Sequence, residues 1–179
     1  MKMIRYYVTD RHQGNVLASA ERAIRDGVEM IQVREKDLSA RELFDLIGRI
    51  CDLAAGTKTR VLVNDRLDIA LAAKVDGVHL PSNGLPAHRV RPFVQLLGVS
   101  THNIQDALDA EKAHADFIVF GPVFDSPGKT AVGLNALREI TAAVRIPVLA
   151  IGGMTWTNAQ EVLDTNAAGI AGIRLFQER

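Results

Sequence analysis

A short apolar run is followed by the letters QVREKD, which begin at Gln32. In an extended chain successive side chains alternate, so Gln32, Arg34 and Lys36 would project to one side. Two cations on one face can grip a diphosphate group. The alternative interpretation is a solvated charged loop, in which Glu35 and Asp37 neutralise the two cations.

Similar polar groups follow three other apolar runs. Asn64 and Asp65 follow one of them, and Asp65 could ligate a hard cation such as Mg²⁺, although a helix N-cap is the alternative for this pair. Ser100 and His102 follow another run. Lys129 lies in a loop with glycine and proline, which is typical of a mobile clamp over a ligand.

Two adjacent glycines, Gly152 and Gly153, follow a further apolar run. Without side chains, their backbone amides can approach an anion near a helix start. A tight turn that needs glycine dihedral angles is the alternative.

The five histidines show no spacing typical of a metal site. His79 and His102 could transfer protons at such a site, and an imidazole that only bonds a loop is the alternative role for each.

Eight apolar runs of strand length, separated by segments of helical periodicity, must position these groups. They cover residues 4–9, 30–34, 61–63, 77–80, 97–100, 117–120, 147–151 and 169–173. Helix starts are marked by Ser39, with Glu42 in capping-box spacing, and by Asn103. Strict alternation predicts parallel strands, and eight units predict a closed (β/α)₈ TIM barrel in a single domain over residues 1–179, with the functional groups at the carboxyl ends of the strands.

Only residues 174–179 follow the last strand, too few for a full crossover helix. We therefore expect seven helices, with the final helix missing, and an apolar strip beside the first and last strands. A partner subunit would cover this strip, which predicts a homo-oligomer unless the chain is shortened.

Composition excludes several classes of protein. Lys plus Arg equals Asp plus Glu at 21 each, so no net positive charge attracts nucleic acid or an anionic membrane. Cys51 is the only cysteine and lies in an apolar helical pattern, where it is expected to pack. With no signal peptide or membrane span in the sequence, a cytoplasmic location is expected.

Six segments in order resemble the thiamine phosphate synthase family over nearly the whole chain. They read IQVREKD, VNDRLDIA, DGVHLP, LGVSTH, ADFIVFGPVFDSPGK and IPVLAIGGMT. The resemblance implies a transferase of thiamine biosynthesis, in which hydroxymethylpyrimidine diphosphate loses pyrophosphate and the thiazole phosphate nitrogen attacks the resulting cation. Catalysis would consist mainly of leaving-group stabilisation.

The resemblance also implies roles for individual residues. Gln32 would bind the pyrimidine, and Asp65 would bind Mg²⁺. Gly152 and Gly153 would receive the thiazole phosphate. The diphosphate would be held, and its departure assisted, by Arg34, Lys36, Asn64, Ser100 and Lys129.

Two departures from the family pattern stand out. The synthases carry a second metal-binding carboxylate after the GVHL strand, whereas this chain reads PSNG, which weakens the expected Mg²⁺ site. Arg174 replaces a small or hydroxyl residue after the last strand; it could bind the thiazole phosphate, fill the site or lie on the surface.

Two alternatives remain at this point. A related thiazole phosphate tautomerase would carry its histidine directly after Gly121, where this chain has Pro122, so His79 or His102 would have to substitute. A non-catalytic paralogue that binds phosphorylated ligands is the other alternative.

Overall fold

The computed structural model describes residues 3–177, which form a closed barrel of eight parallel strands. The strands are β1 Ile4–Val8, β2 Met30–Val33, β3 Arg60–Asn64, β4 Gly77–Leu80, β5 Leu96–Thr101, β6 Phe117–Phe120, β7 Val148–Ala150 and β8 Gly169–Gly172. β1 pairs with both β2 and β8, from Ile4 opposite Gly169 to Tyr7 opposite Gly172, which closes the ring. The predicted TIM barrel and its eight strands are confirmed.

A helix or helical turn follows each strand. They are α1 Val16–Arg25, α2 Ala40–Ala54, α3 Leu67–Ala73, α4 Ala87–Val90, α5 Ile104–Lys112, α6 Gly133–Ala143, α7 Ala159–Leu163 and α8 Arg174–Gln177. The predicted caps form: Ser39 and Glu42 make a capping box at α2, and the Asn103 side chain accepts a hydrogen bond from the Asp106 amide.

Successive residues of each strand contribute to two different layers of the core. Side chains such as Tyr6, Leu62, Phe117 and Leu149 pack together inside the barrel. Their neighbours in sequence, such as Tyr7, face outward and pack under the helices. Because both faces of each strand are covered, the strands read as continuous apolar runs.

The end of the described chain differs from expectation in one respect. No full-length final helix is present in residues 3–177, but one helical turn, α8, follows β8, so the expected number of seven helices is one too few. Phe176 places its ring 5.5 Å from that of Tyr7, and Gln177 Nε2 donates a hydrogen bond to the Asp10 carbonyl at 2.9 Å. Four residues suffice for this turn because these contacts anchor it, and it covers part of the apolar strip.

Candidate active site

A cavity of about 1300 Å³ opens at the carboxyl ends of the strands. Nine of the ten predicted site residues line it, namely Gln32, Arg34, Lys36, Asn64, Ser100, Lys129, Gly152, Gly153 and Arg174. The exception is Asp65, the residue after Asn64 in the sequence. The cations after β2 and the glycines after β7 therefore share one cavity.

The two acids beside Arg34 and Lys36 are bonded elsewhere. Glu35 turns inward, is only 4% exposed and accepts hydrogen bonds from Thr9 Oγ1 at 2.5 Å and the Arg11 amide at 3.0 Å. Asp37 pairs with the Arg11 guanidinium, whose hydrogen bond holds the pKa of this carboxyl below its ordinary value. The alternative in which these acids neutralise Arg34 and Lys36 is therefore wrong, because both carboxylates are bonded to groups of the loop after β1.

The floor of the cavity is polar although it lies inside the barrel. Gln32 Nε2 is 3.0 Å from the Tyr6 hydroxyl, which is 3.2 Å from His79 Nδ1, and His79 Nε2 is 2.8 Å from Ser100 Oγ. Burial, with a contribution from the positive charge of Arg34, lowers the pKa of the His79 imidazole from 6.5 to about 3. His79 is therefore a neutral hydrogen-bonding group at physiological pH.

Asp65 is placed differently from a helix cap. The N-cap of α3 is Arg66, and no side chain caps this helix, so the N-cap alternative for Asn64 and Asp65 is wrong. Asp65 has a left-handed backbone (φ 60°), and its Oδ1 lies 2.7 Å from the position that a Cβ on Gly84 would occupy. The carboxylate therefore faces the loop between β4 and α4.

This environment offers few protein ligands for a metal. Within residues 3–177, no group of three or more His, Cys, Asp or Glu side chains is placed to hold a metal ion. Mg²⁺ commonly binds through one or two carboxylates together with waters and substrate phosphates. Asp65 fits such an ion only if the substrate supplies further ligands.

Lys129 is carried by a short hairpin-like loop between β6 and α6. The Lys129 amide donates to the Ser126 carbonyl at 2.9 Å, and the Ser126 amide donates to the Lys129 carbonyl at 3.3 Å. Gly128 supplies the left-handed turn (φ 73°), and the Ala131 amide donates to the Asp125 carboxylate at 2.9 Å. These bonds place the exposed Lys129 at the wall of the cavity.

Gly152 and Gly153 form a turn at positive φ, 94° and 61°. Their carbonyls accept hydrogen bonds from the Phe124 amide at 3.1 Å and from Asn158 Nδ2 at 3.0 Å. The amides of both glycines have no protein acceptor within residues 3–177 and lie at the cavity wall. The tight-turn interpretation is confirmed by the positive φ angles, and the anion site stays a prediction that the amides without a protein acceptor allow.

Arg174 begins α8 on the rim of the cavity, beside the glycine turn. It is exposed, so a ligand in the cavity can reach it. Trp156 also lies at this rim and makes an edge-on contact with Phe176, with ring centroids 5.7 Å apart.

Two features of the site were missed or left open by sequence reasoning. Tyr6 was missed because it stands in an apolar strand. Two signals could have found it: a buried tyrosine hydroxyl needs a hydrogen-bond partner, and alternation along β1 puts Tyr6 on the same face as Val8, opposite to Tyr7. His102 adopts the loop-bonding role, with Nδ1 3.1 Å from the Gly121 carbonyl oxygen.

Comparison with known proteins identifies the family. A family model described as thiamine monophosphate synthase matches residues 5–176. A putative thiamine-phosphate synthase 2 of Aquifex aeolicus is 41% identical, with 97% of each chain covered. The thiamine-phosphate synthase of Clostridium novyi is 38% identical over 94% of this chain and 87% of that protein.

A solved structure agrees with the sequence comparisons. The thiamine phosphate pyrophosphorylase from Pyrococcus furiosus superposes with a TM-score of 0.89 at 35% identity, covering 96% of this chain and 86% of that chain. The barrel, the shared cavity and these matches lead to one conclusion: the chain belongs to the thiamine monophosphate synthase family.

Proposed function

We propose that the protein couples hydroxymethylpyrimidine diphosphate to thiazole phosphate and releases pyrophosphate. One observation carries the proposal: two sets of anion-binding groups, the cations after β2 and the glycine turn after β7, line the same cavity. The two sets are separated along the barrel by β1 and β8. A single phosphate would need only one set, so the arrangement suits two phosphorylated ligands that react with each other.

The reaction breaks the bond between the pyrimidine methylene carbon and the diphosphate oxygen. Negative charge grows on the leaving diphosphate, where Arg34, Lys36 and Lys129 provide cations that are already in place. Asn64 and Ser100 add neutral donors that line the same cavity. The thiazole nitrogen then supplies the electron pair for the new carbon–nitrogen bond, and no other reactant is needed.

The glycine turn would hold the second substrate. Gly152 and Gly153 line the cavity with amides that have no acceptor among residues 3–177, and Arg174 lines it as well. Together they would bind the thiazole phosphate, while Gln32 at the floor would orient the pyrimidine. This arrangement holds the two reacting atoms together, which lowers the entropic cost of their reaction.

Mg²⁺ would arrive with the diphosphate. Bound there, it would neutralise part of the charge on the leaving group. Asp65 would contribute its carboxylate, and the substrate oxygens would replace the missing second acid. We expect calorimetry to detect little Mg²⁺ binding to the protein alone and clear binding when pyrophosphate is present, with the gain lost in Asp65→Asn. Equal binding with and without pyrophosphate would contradict this arrangement.

The direct test is to incubate the protein with both substrates and Mg²⁺ and to follow thiamine phosphate and pyrophosphate. Lys58→Ala, which removes an exposed lysine far from the cavity, is the control for loss of a single positive charge. Product formation that depends on both substrates supports the proposal. Binding of both ligands without product would instead identify a non-catalytic paralogue.

The tautomerase alternative is not needed to explain the site. Pro122 stands where that enzyme would place its histidine, and His102 bonds a backbone carbonyl. The relatives at 38–41% identity are named as synthases. None of the described helices is long and apolar enough to cross a membrane. A cytoplasmic location and a homo-oligomeric state stay predictions.

A further inference from the structure

A chain of four hydrogen-bonded side chains crosses the barrel interior and ends at the cavity. It runs from Gln32 on β2 through Tyr6 on β1 and His79 on β4 to Ser100 on β5, with successive distances of 3.0, 3.2 and 2.8 Å. The first three side chains are at most 3% exposed, whereas Ser100 is only partly buried. These hydrogen bonds therefore link three buried side chains to a hydroxyl that a ligand can reach.

The donor-to-acceptor direction of these hydrogen bonds follows from the amide of Gln32. The Gln32 amide nitrogen only donates, so the Tyr6 oxygen accepts from it and turns its own proton to His79 Nδ1. A neutral imidazole that accepts at Nδ1 carries its proton on Nε2. That proton is donated to Ser100 Oγ, and the serine proton must then point away from the histidine.

As long as the Gln32 amide keeps this orientation, the surroundings of Tyr6 favour this direction of the hydrogen bonds. If Nδ1 carried the proton while the Gln32 amide stayed as it is, the Tyr6 proton would lose its acceptor among apolar neighbours such as Phe117. Burial also raises the pKa of the Tyr6 phenol, so this group keeps its proton. Only a turned-over Gln32 amide reverses every bond, and Ser100 would then offer lone pairs to the ligand.

We propose that Gln32, Tyr6 and His79 are positioning residues that hold the Ser100 hydroxyl as a hydrogen-bond donor to the anionic substrate in the cavity. This inference rests on the proposed function, because a serine that directs lone pairs at a departing diphosphate would repel the charge it has to stabilise. The buried side chains inside the barrel would thereby decide whether Ser100 donates or accepts a hydrogen bond at the ligand.

The tautomer of His79 can be tested without any substrate. In ¹⁵N NMR spectra of the ligand-free protein near neutral pH, we expect Nε2 to carry the proton and Nδ1 to be unprotonated. Tyr6→Phe removes the group that fixes this state and should leave a mixture of tautomers. A proton on Nδ1 in the unaltered protein would overturn the proposal, whether or not the enzyme is active.

Kinetic measurements test whether the hydrogen-bonded side chains act through Ser100. We expect Ser100→Ala to lower kcat on the order of 100-fold and Tyr6→Phe on the order of 10-fold, with small changes in KM. The double variant should be no slower than Ser100→Ala, because Tyr6 would act only through the serine. Multiplied effects in the double variant would overturn the proposal.

Two comparisons separate positioning from simple structural damage. Tyr7→Phe makes the same change one residue away on the outer face of β1, and it should leave kcat unchanged. His79→Gln, which can still donate to Ser100, should retain more activity than His79→Leu. If the unaltered protein makes no product, the proposed function fails, and the NMR result still decides the direction of the chain.

Discussion

The buried imidazole of His79 should make its own contribution to the loss of stability of this protein in acid. In the unfolded chain its imidazole takes up a proton as the pH falls below about 6.5. In the folded protein, burial and Arg34 lower the pKa to about 3, so the ring stays neutral over this range. The unfolded state then binds more protons than the folded state, and the free energy of unfolding must fall as the pH drops from 6.5 towards 3.

The size of the effect follows from the same pKa values. Each pH unit below 6.5 is worth about 1.4 kcal/mol, so at pH 4.5 the loss is roughly 2.7 kcal/mol relative to neutral pH. This is a large part of the 5–15 kcal/mol that is typical of native proteins. No discount for solvent screening applies, because the His79 side chain is only 2% exposed.

Urea unfolding followed by circular dichroism, at pH 7 and at pH 4.5, measures this loss. His79→Gln keeps a polar side chain but cannot titrate, so its stability should fall by roughly 2.7 kcal/mol less than that of the unaltered protein. The carboxylates contribute alike to both proteins and cancel in the comparison. His88→Gln, which alters an exposed histidine, should behave like the unaltered protein. If His79→Gln shows the full acid loss, the buried neutral imidazole is refuted.

Three further substitutions test separate parts of the structure. Lys129→Ala should lower kcat on the order of 100-fold with little change in the urea midpoint, since it removes a cation from the leaving group but no core contact; an unchanged rate would remove Lys129 from the mechanism. Gly152→Ala should raise the KM for thiazole phosphate at least about 10-fold and lower Tm, because a Cβ there would lie 2.4 Å from Pro122 Cβ at φ 94°; normal binding of this substrate would contradict the role of the turn. Ser39→Ala should cost about 1 kcal/mol in urea unfolding and leave kcat unchanged, since the capping box lies outside the cavity; no loss of stability would mean that the cap contributes little.

The sequence predicted the fold because its signals are local. Each strand is a short apolar run, and each of the predicted helix starts at Ser39 and Asn103 carries its own cap, so eight alternating units were visible without knowledge of any long-range contact. The site residues were predictable for the same reason. All lie at the carboxyl ends of strands or in the segments that follow them, and parallel strands bring these ends to one face of the barrel.

Contacts between distant residues lay beyond this reasoning. From the sequence, Glu35 and Asp37 could equally have neutralised Arg34 and Lys36, and only the folded loop between β1 and α1 provides Thr9 and Arg11 as partners for the two acids. The turn α8 likewise depends on Tyr7 and Asp10, which are more than 160 residues earlier in the chain.

The sequence by itself determined the barrel, the family and the set of groups at the cavity, because periodicity and motif order are properties of neighbouring residues. Only the tertiary structure decided how these groups are paired and which way their protons point. Tyr6 and His79 are 73 residues apart, and only the closure of the barrel brings them into contact. A hydrogen bond depends on distance and angle within a few tenths of an ångström, and the register of distant strands alone sets that geometry.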